Sequence, residues 1–216
     1  MATQKALALL FFILTAAQLS AQDSISKMVN EKGERTETPW KKGKINGTQR
    51  SYYRSGKLQR EIPFVDNKIS GTEMMYYENG NLKKEAPYTD NMVNGTIKNY
   101  DERMMLTHET PMSNNMINGV VKRYKKGMLI EETPYTNNKI NGVVKTYNEN
   151  GLLIREVPYS DNVINGVVKK YEHAKLTEEV PYTNNRINGM VKMYNDHGEL
   201  INQQEYIDGK LKEQQH

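Results

Sequence analysis

The chain has 216 residues, a formal net charge of +4 and only 37% hydrophobic residues, a length that suits one domain or a long repeat array. It contains no cysteine, which excludes disulfides, thiolate metal sites and cysteine nucleophiles. Its 30 basic residues are nearly balanced by 26 acidic ones. Because nucleic-acid binding relies on a basic surface, we expect no nucleic-acid partner.

The first 21 residues differ from the rest of the chain in their apolar character. One charged residue, Lys5, precedes an apolar run over 6–17, and the small residue Ala21 stands before Gln22. This pattern is typical of a secretory signal peptide over 1–21, and it predicts an exported protein of the periplasm, the outer envelope or the extracellular space. The alternative is a retained membrane anchor, although the run is shorter than the ~20 residues that span a bilayer.

Residues 22–36 are interpreted as a polar linker, and a repeat with a period of 23 or 24 residues follows them. A tyrosine stands five places after a recurring glycine, and a leucine, a glutamate and a proline come next in most copies. We divide 37–211 into a half copy, six full copies from 47 to 188 and a partial last copy, and 212–216 form a tail. The recurring glycines are Gly47, Gly71, Gly95, Gly119, Gly142, Gly166 and Gly189.

Each copy is predicted to form a β-hairpin. In the clearest copy, Gly-Val-Val-Lys-Thr-Tyr at 142–147 and Leu-Leu-Ile-Arg-Glu-Val at 152–157 favour strands, and Asn-Glu-Asn-Gly between them favours a turn. Burying three or four large side chains contributes roughly 6–10 kcal/mol. Ordering the backbone of one copy costs on the order of 24–48 kcal/mol, so a copy needs its neighbours. We therefore expect an all-β fold, an elongated twisted antiparallel sheet of stacked hairpins.

A second turn is marked by an asparagine twenty places after the glycine of each full copy. Glycine replaces it in the two end copies, at Gly43 and Gly209. Both residue types tolerate a positive φ, which predicts the left-handed position of a tight turn. The rival interpretation is an asparagine ladder that binds a ligand. The residues in question are Asn67, Asn91, Asn115, Asn138, Asn162 and Asn185.

Tyrosine, glutamate and lysine recur at repeat spacing. Regularly spaced tyrosines are interpreted as packing residues, and the alternative is stacking on sugars, nucleobases or peptides. A glutamate and a lysine in each copy, such as Glu156 and Lys145, are expected to lie opposite each other as cross-strand charge pairs. The histidines His173 and His197 fall in equivalent loops, where we expect solvated side chains rather than a metal site.

The quoted residues resemble the MORN-repeat family, most closely its bacterial variant repeat. The segments Tyr-Tyr-Glu-Asn-Gly-Asn-Leu at 76–82 and Tyr-Ile-Asp-Gly-Lys-Leu at 206–211 carry the resemblance. It implies a MORN-like solenoid of stacked hairpins, contacts with proteins or membranes, and no enzyme chemistry. Some bacterial members of the family are labelled antitoxin-like.

Function is accordingly predicted as a non-enzymatic binding or scaffold surface for another macromolecule of the cell envelope. We expect no catalytic residues, no cofactor and no metal, and a protein as the partner. The alternatives are an antitoxin or immunity-type inhibitor and a binder of membrane lipid, against which the balanced charge argues. An open sheet edge at either end could pair with another chain, and the polar tail is expected to blunt it. The residues predicted to contact the partner are Lys122, Lys145, Lys169 and Lys192.

Overall fold

The computed structural model describes residues 23–213, so the predicted signal peptide at 1–21 lies outside the described residues. Within that range the chain forms strands and turns and no helix, which confirms the predicted all-β class. The strands are β1 Ser24–Val29, β2 Arg35–Lys41, β3 Lys44–Ile45, β4 Gly47–Tyr52, β5 Leu58–Val65, β6 Lys68–Ile69, β7 Gly71–Tyr76, β8 Leu82–Thr89, β9 Met92–Val93, β10 Gly95–Tyr100, β11 Leu106–Ser113, β12 Met116–Ile117, β13 Gly119–Lys125, β14 Met128–Thr136, β15 Lys139–Ile140, β16 Gly142–Tyr147, β17 Leu153–Ser160, β18 Val163–Ile164, β19 Gly166–Glu172, β20 Lys175–Thr183, β21 Arg186–Ile187, β22 Gly189–Tyr194, β23 Leu200–Ile207 and β24 Lys210–Leu211.

All of these strands belong to one open antiparallel sheet. Two long strands form a hairpin, and a two-residue strand then folds back onto the second of them, as β18 does onto β17. The next hairpin starts from there and pairs with the same strand, as β19 does with β17. We call each set of three strands a unit, so the described residues contain eight units in a row. We call the contact between consecutive units a joint.

The segment interpreted as a polar linker, 22–36, instead contains β1 and the first residues of β2. Ser24 lies opposite Trp40 and Lys27 opposite Glu37, so the predicted half copy is a complete hairpin. The hairpin forms because β1 gains its backbone hydrogen bonds by antiparallel pairing with β2. Its repeat signature was not visible because Ser24 and Val29 occupy the positions of the usual glycine and tyrosine.

The pairing register assigns alternate residues to opposite faces of the sheet. Val144 lies opposite Val157, and the next pair, Lys145 and Glu156, points to the other side. The face that carries Val157 holds the most buried side chains, with Val168 only 2% exposed, and we call it the core face. A second series of tyrosines recurs directly after the proline position of the repeat. The apolar cluster of the core face includes three of them, Tyr159, Tyr182 and Tyr206, which confirms the packing role predicted for regularly spaced tyrosines.

The asparagine turns have the backbone that the sequence predicts. Asp161 and Asn162 have φ values of 49° and 71°, so both central residues of this two-residue turn are left-handed. The end residues Gly43 and Gly209 have φ values of 75° and 82°. The asparagine therefore occupies the predicted position of positive φ.

The recurring glycine is required by both its backbone and its neighbour. Gly142 has a φ of 119°, and a Cβ added to it would lie 3.0 Å from Cγ of Pro134 in the preceding unit. Larger residues would therefore be strained at this position and would collide with the proline ring. The glycine that begins one unit therefore packs against the proline in the second long strand of the previous unit, and the two residues form a matched pair.

Candidate interaction surface

The face opposite the core face carries a row of charged residues that runs along the sheet, one residue per long strand. Lys145 lies opposite Glu132 of the preceding unit on one side and opposite Glu156 of its own unit on the other. Positive and negative residues alternate in this way over most of the sheet. We call the row the charge ladder and this side of the sheet the ladder face. In spatial order the ladder consists of Lys27, Glu37, Arg50, Glu61, Met74, Glu85, Lys98, Glu109, Lys122, Glu132, Lys145, Glu156, Lys169, Glu179, Lys192 and Gln203.

The first recurring series of tyrosines lies beside the ladder and binds its glutamates. The Tyr147 hydroxyl donates to Glu132 Oε2 at 2.7 Å, and Tyr171 donates to Glu156 Oε2 at the same distance. Each of these bonds crosses a joint, because the glutamate belongs to the preceding unit. The other pairs joined in this way are Tyr52 with Glu37, Tyr76 with Glu61, Tyr124 with Glu109 and Tyr194 with Glu179.

These hydrogen bonds and the surrounding burial shift the acidity of the tyrosines. Burial, the bond to Glu132 and the charges of Glu132 and Glu156 raise the pKa of Tyr147 to about 12. The same three causes raise the pKa of Tyr124 and that of Tyr171 to about 12. Burial is the largest cause that raises the pKa of Tyr100, and the charges of Glu85 and Glu109 follow it. Tyr124, Tyr147 and Tyr171 are therefore neutral donors at physiological pH.

The glutamates of the ladder are thus occupied by hydroxyl donors, which leaves the lysines in a different situation. Lys145 is half-buried, and among residues 23–213 no carboxylate oxygen lies within 4.0 Å of its ammonium nitrogen. The expected charge pairs are therefore opposite each other in register but are not in contact. The same holds for the other three predicted contact residues, Lys122, Lys169 and Lys192.

An apolar stripe accompanies the lysines in the second half of the sheet. In strands β13, β16, β19 and β22 the residue two places before the ladder lysine is valine or methionine, and it is between 38% and 42% exposed. A proline lies opposite each valine on the neighbouring strand. The first half has threonine at this position, at Thr48, Thr72 and Thr96. The stripe, which we call the valine stripe, consists of Val120, Val143, Val167 and Met190.

Candidate metal ligands do not converge in the described part of the chain. Within residues 23–213 no group of three or more histidine, aspartate and glutamate side chains has the geometry to hold a metal ion. His173 and His197 are exposed in their loops, as expected. An open depression of about 500 Å³ is lined by Lys175, Leu176, Tyr194, Asp196, His197 and Gly198. Residues 23–213 contain no helix that is long and apolar enough to cross a membrane.

Two networks that cross the joints were missed by sequence reasoning. Asn162 Oδ1 accepts a hydrogen bond of 2.7 Å from the N–H of Ile140 in the preceding unit, and its own N–H donates to the Ile140 carbonyl at 2.9 Å. The asparagine therefore selects the turn and ties two units together with two hydrogen bonds, whereas glycine keeps the backbone bond alone, as Gly209 does with the Ile187 carbonyl. For the tyrosine bonds, the sequence does contain a signal: the donor tyrosine always follows the acceptor glutamate by fifteen residues. This separation follows from the repeat and can be interpreted as a contact only once the strand register is known.

The structure agrees with a known repeat in its stacked hairpins, its glycine and proline pairs and its recurring tyrosines. A family model for the MORN repeat variant matches three segments of the chain, at 45–66, 70–90 and 140–161. The chain contains MORN repeats of the variant type. MORN repeats generally mediate binding to proteins or membranes and are not an enzyme family. A comparison of this MORN-repeat protein with curated proteins found no match.

Proposed function

We propose that this MORN-repeat protein is an exported, non-enzymatic scaffold of the cell envelope that binds another protein through its ladder face. The contact residues in this proposal are the four lysines that the sequence analysis selected, together with the valine stripe beside them. Export is supported by the character of residues 1–21 alone.

One observation carries the proposal: the four predicted contact lysines have no carboxylate oxygen within 4.0 Å of their ammonium groups in residues 23–213, and exposed apolar side chains line up beside them. A protein partner gains from such a surface, because apolar contacts supply affinity and a few charged contacts fix the orientation. The valine stripe occurs in the second half of the sheet only. The proposed binding region therefore covers the units from β13 to β22.

The charge ladder favours a protein over a lipid surface as the partner. Neighbouring strands lie roughly 4.8 Å apart, so Lys122, Lys145 and Lys169 each have a glutamate on either side, and Lys192 has one on one side, well within the Debye length of ~8 Å. At longer range these opposite charges cancel, and an anionic membrane therefore gains little attraction from the ladder. A protein that contacts the surface directly can still distinguish the separate ammonium groups.

The proposal can be tested by replacing the four lysines with glutamine in the mature chain and using it as bait for envelope proteins. A matched variant carries the same change at four exposed lysines away from the ladder, Lys41, Lys57, Lys126 and Lys210. We expect one protein to be retained by the wild type and by the matched variant, and to be lost by the ladder variant. Equal retention by all three would contradict the proposed surface.

Export and the lipid alternative need separate measurements. Amino-terminal sequencing of the chain recovered from its host should begin near Gln22, and a chain that still begins at Met1 in the cytoplasm would refute export. Sedimentation with vesicles of anionic lipid should leave the protein in solution at physiological salt. Binding that disappears with the ladder variant would favour the lipid-surface alternative instead.

A further inference from the structure

Three kinds of contact recur at the joints. In each of them, one partner belongs to the upstream unit and the other to the downstream unit. At the joint between β14 and β16, Gly142 packs against Pro134 and the Tyr147 hydroxyl donates to Glu132. The third contact is the pair of hydrogen bonds that Asn162 makes to the short strand of the preceding unit. The downstream unit therefore supplies glycine, tyrosine and asparagine, and the upstream unit supplies proline, glutamate and a backbone partner.

The first unit lacks every residue that a downstream unit supplies. Ser24 stands in the glycine position, Val29 in the tyrosine position and Gly43 in the asparagine position. Ser24 also lacks the positive φ that the recurring glycines share. The first unit therefore has no glycine to accommodate a proline, no hydroxyl donor for a glutamate and no side-chain acceptor for the N–H of a preceding short strand.

The last unit lacks the side chains that an upstream unit supplies. Gln203 stands in the position of the glutamate and Glu205 in that of the proline. The seven joints of the described sheet all have the glycine and proline pair. The residues that form the joints are therefore missing at both free edges of the sheet, where no further unit pairs within residues 23–213.

The sheet edges are otherwise open to association. In β1 the apolar side chains Ile25 and Met28 are 62% and 73% exposed, and in β23 Ile201 is 63% exposed. Because the sheet is a row of similar units, the free edge of β23 matches the free edge of β1 of a second copy in strand direction. Such complementary edges would add copies head to tail into a filament unless something opposed it.

We infer that the first and last units are terminators that prevent the chain from adding a second copy of itself head to tail. The glycine and proline pair occurs at all seven joints, and the tyrosine and asparagine side-chain bonds each occur at six of them. Neither edge has the side chains to form any of these contacts with its counterpart in another copy. Backbone pairing alone leaves the two edges without packing or side-chain partners across the new joint. The terminators do not block a partner that pairs with either edge through different side chains.

The test restores the matched residues at both edges without touching any interior joint. The restored variant carries Ser24→Gly, Val29→Tyr, Gly43→Asn, Gln203→Glu and Glu205→Pro, and we expect its sedimentation coefficient to rise with concentration. The wild type should sediment as one chain over the same range. A wild type that associates through its edges, or a restored variant that stays a single chain at every concentration, would overturn the inference.

The register of association can be read with a disulfide, because the chain has no cysteine of its own. In a head-to-tail joint Ser26 of one copy would lie opposite Gln204 of another, in the same register that pairs Lys192 with Glu179. Ser26→Cys and Gln204→Cys should form covalent multimers on oxidation in the restored variant and should remain monomeric in the wild-type background. Equal cross-linking in the two backgrounds would also overturn the inference.

The reciprocal variant transfers the edge residues to an interior joint. It carries Glu132→Gln, Pro134→Glu, Gly142→Ser, Tyr147→Val and Asn162→Gly. We expect hydrogen exchange to lose protection across β14 and β16 while hairpins away from that joint keep theirs. Unchanged protection at that joint would show that these residues do not hold units together, and the inference would fail.

Discussion

Replacing Asn138 separates the two roles of the turn asparagine. Asn138 has a φ of 67°, and its Oδ1 accepts a hydrogen bond of 2.7 Å from the N–H of Ile117 in the preceding unit. Its neighbour Asn137 also has a positive φ, 49°, but its side chain makes no hydrogen bond within residues 23–213. Asn137→Gly and Asn138→Gly therefore change the flexibility of the chain alike, and only the second removes an acceptor.

The difference between the two glycine variants measures the side-chain bond. A hydrogen bond contributes about 1 kcal/mol net, so Asn138→Gly should lower the free energy of unfolding by about 1 kcal/mol more than Asn137→Gly does. Asn138→Ala should cost roughly a further 1–2 kcal/mol, because a Cβ disfavours the left-handed backbone. Asn138→Asp keeps an acceptor and a tolerated φ and should stay close to the wild type.

Urea unfolding measures these differences, and hydrogen exchange at the Ile117 amide locates them. Exchange should speed up in Asn138→Gly and Asn138→Ala and should be unchanged in Asn137→Gly. If Asn138→Gly were as stable as Asn137→Gly, with equal exchange at Ile117, the asparagine would act through its backbone alone. The side chain of the turn asparagine would then not be one of the contacts that hold consecutive units together.

Three further outcomes are expected from the joints. Tyr147→Phe removes the hydroxyl that binds Glu132 and should lower stability by about 1 kcal/mol in urea unfolding, since bonds to charged groups are worth somewhat more but this one is partly solvated. Gly142→Ala should cost about 2 kcal/mol or more in the same assay, because it combines a forbidden backbone with a collision against Pro134. Absorbance titration of the folded protein should show tyrosines that ionise near pH 12, raised there by burial and by the glutamates, and they should ionise at about pH 10 in urea. Because their folded-state pKa is raised, the stability that they contribute is complete below about pH 10 and is lost as the pH rises towards 12.

Matched variants control the first two of these expectations. Tyr135 belongs to the second tyrosine series on the core face, and no hydrogen bond of its hydroxyl is present within residues 23–213, so Tyr135→Phe should leave stability nearly unchanged. Gly151 has a φ of 75° with no atom within 4 Å of an added Cβ, so Gly151→Ala should cost less than Gly142→Ala. Equal losses in either pair would contradict the contacts assigned to the joints. A single tyrosine titration near pH 10 in the folded protein would contradict the burial of the ladder-face hydroxyls.

Much of the architecture could be predicted because each unit repeats its local signals. The alternation around Val144, the turn residues and the position of Asn162 were sufficient to place hairpins and a left-handed turn. The first hairpin could not be recognised, since β1 carries Ser24 and Val29 instead of the residues that define the repeat. A strand of this kind becomes visible only through its pairing with β2, which is a contact between segments and not a property of either.

The candidate surface was predicted less completely than the fold. Lys145 and Glu156 were expected to be partners because they lie opposite each other, and the register does place them so. The competing donor decides the outcome, because Tyr171 of the next unit binds Glu156 and the ammonium of Lys145 lies more than 4.0 Å from any carboxylate in residues 23–213. Such competition depends on side chains from three strands at once, and no pairwise spacing in the sequence expresses it.

The joints connect stability with the proposed binding surface. Lys122, Lys145 and Lys169 each lie between two glutamates and Lys192 lies beside Glu179. The tyrosine bonds that hold these glutamates also hold consecutive units together. The spacing of Lys122, Lys145, Lys169 and Lys192 is therefore fixed by contacts that cross three joints. A partner that contacts several of these lysines needs all three joints intact. A local opening at one joint would consequently remove the binding site as a whole, although each lysine would keep its place in its own hairpin.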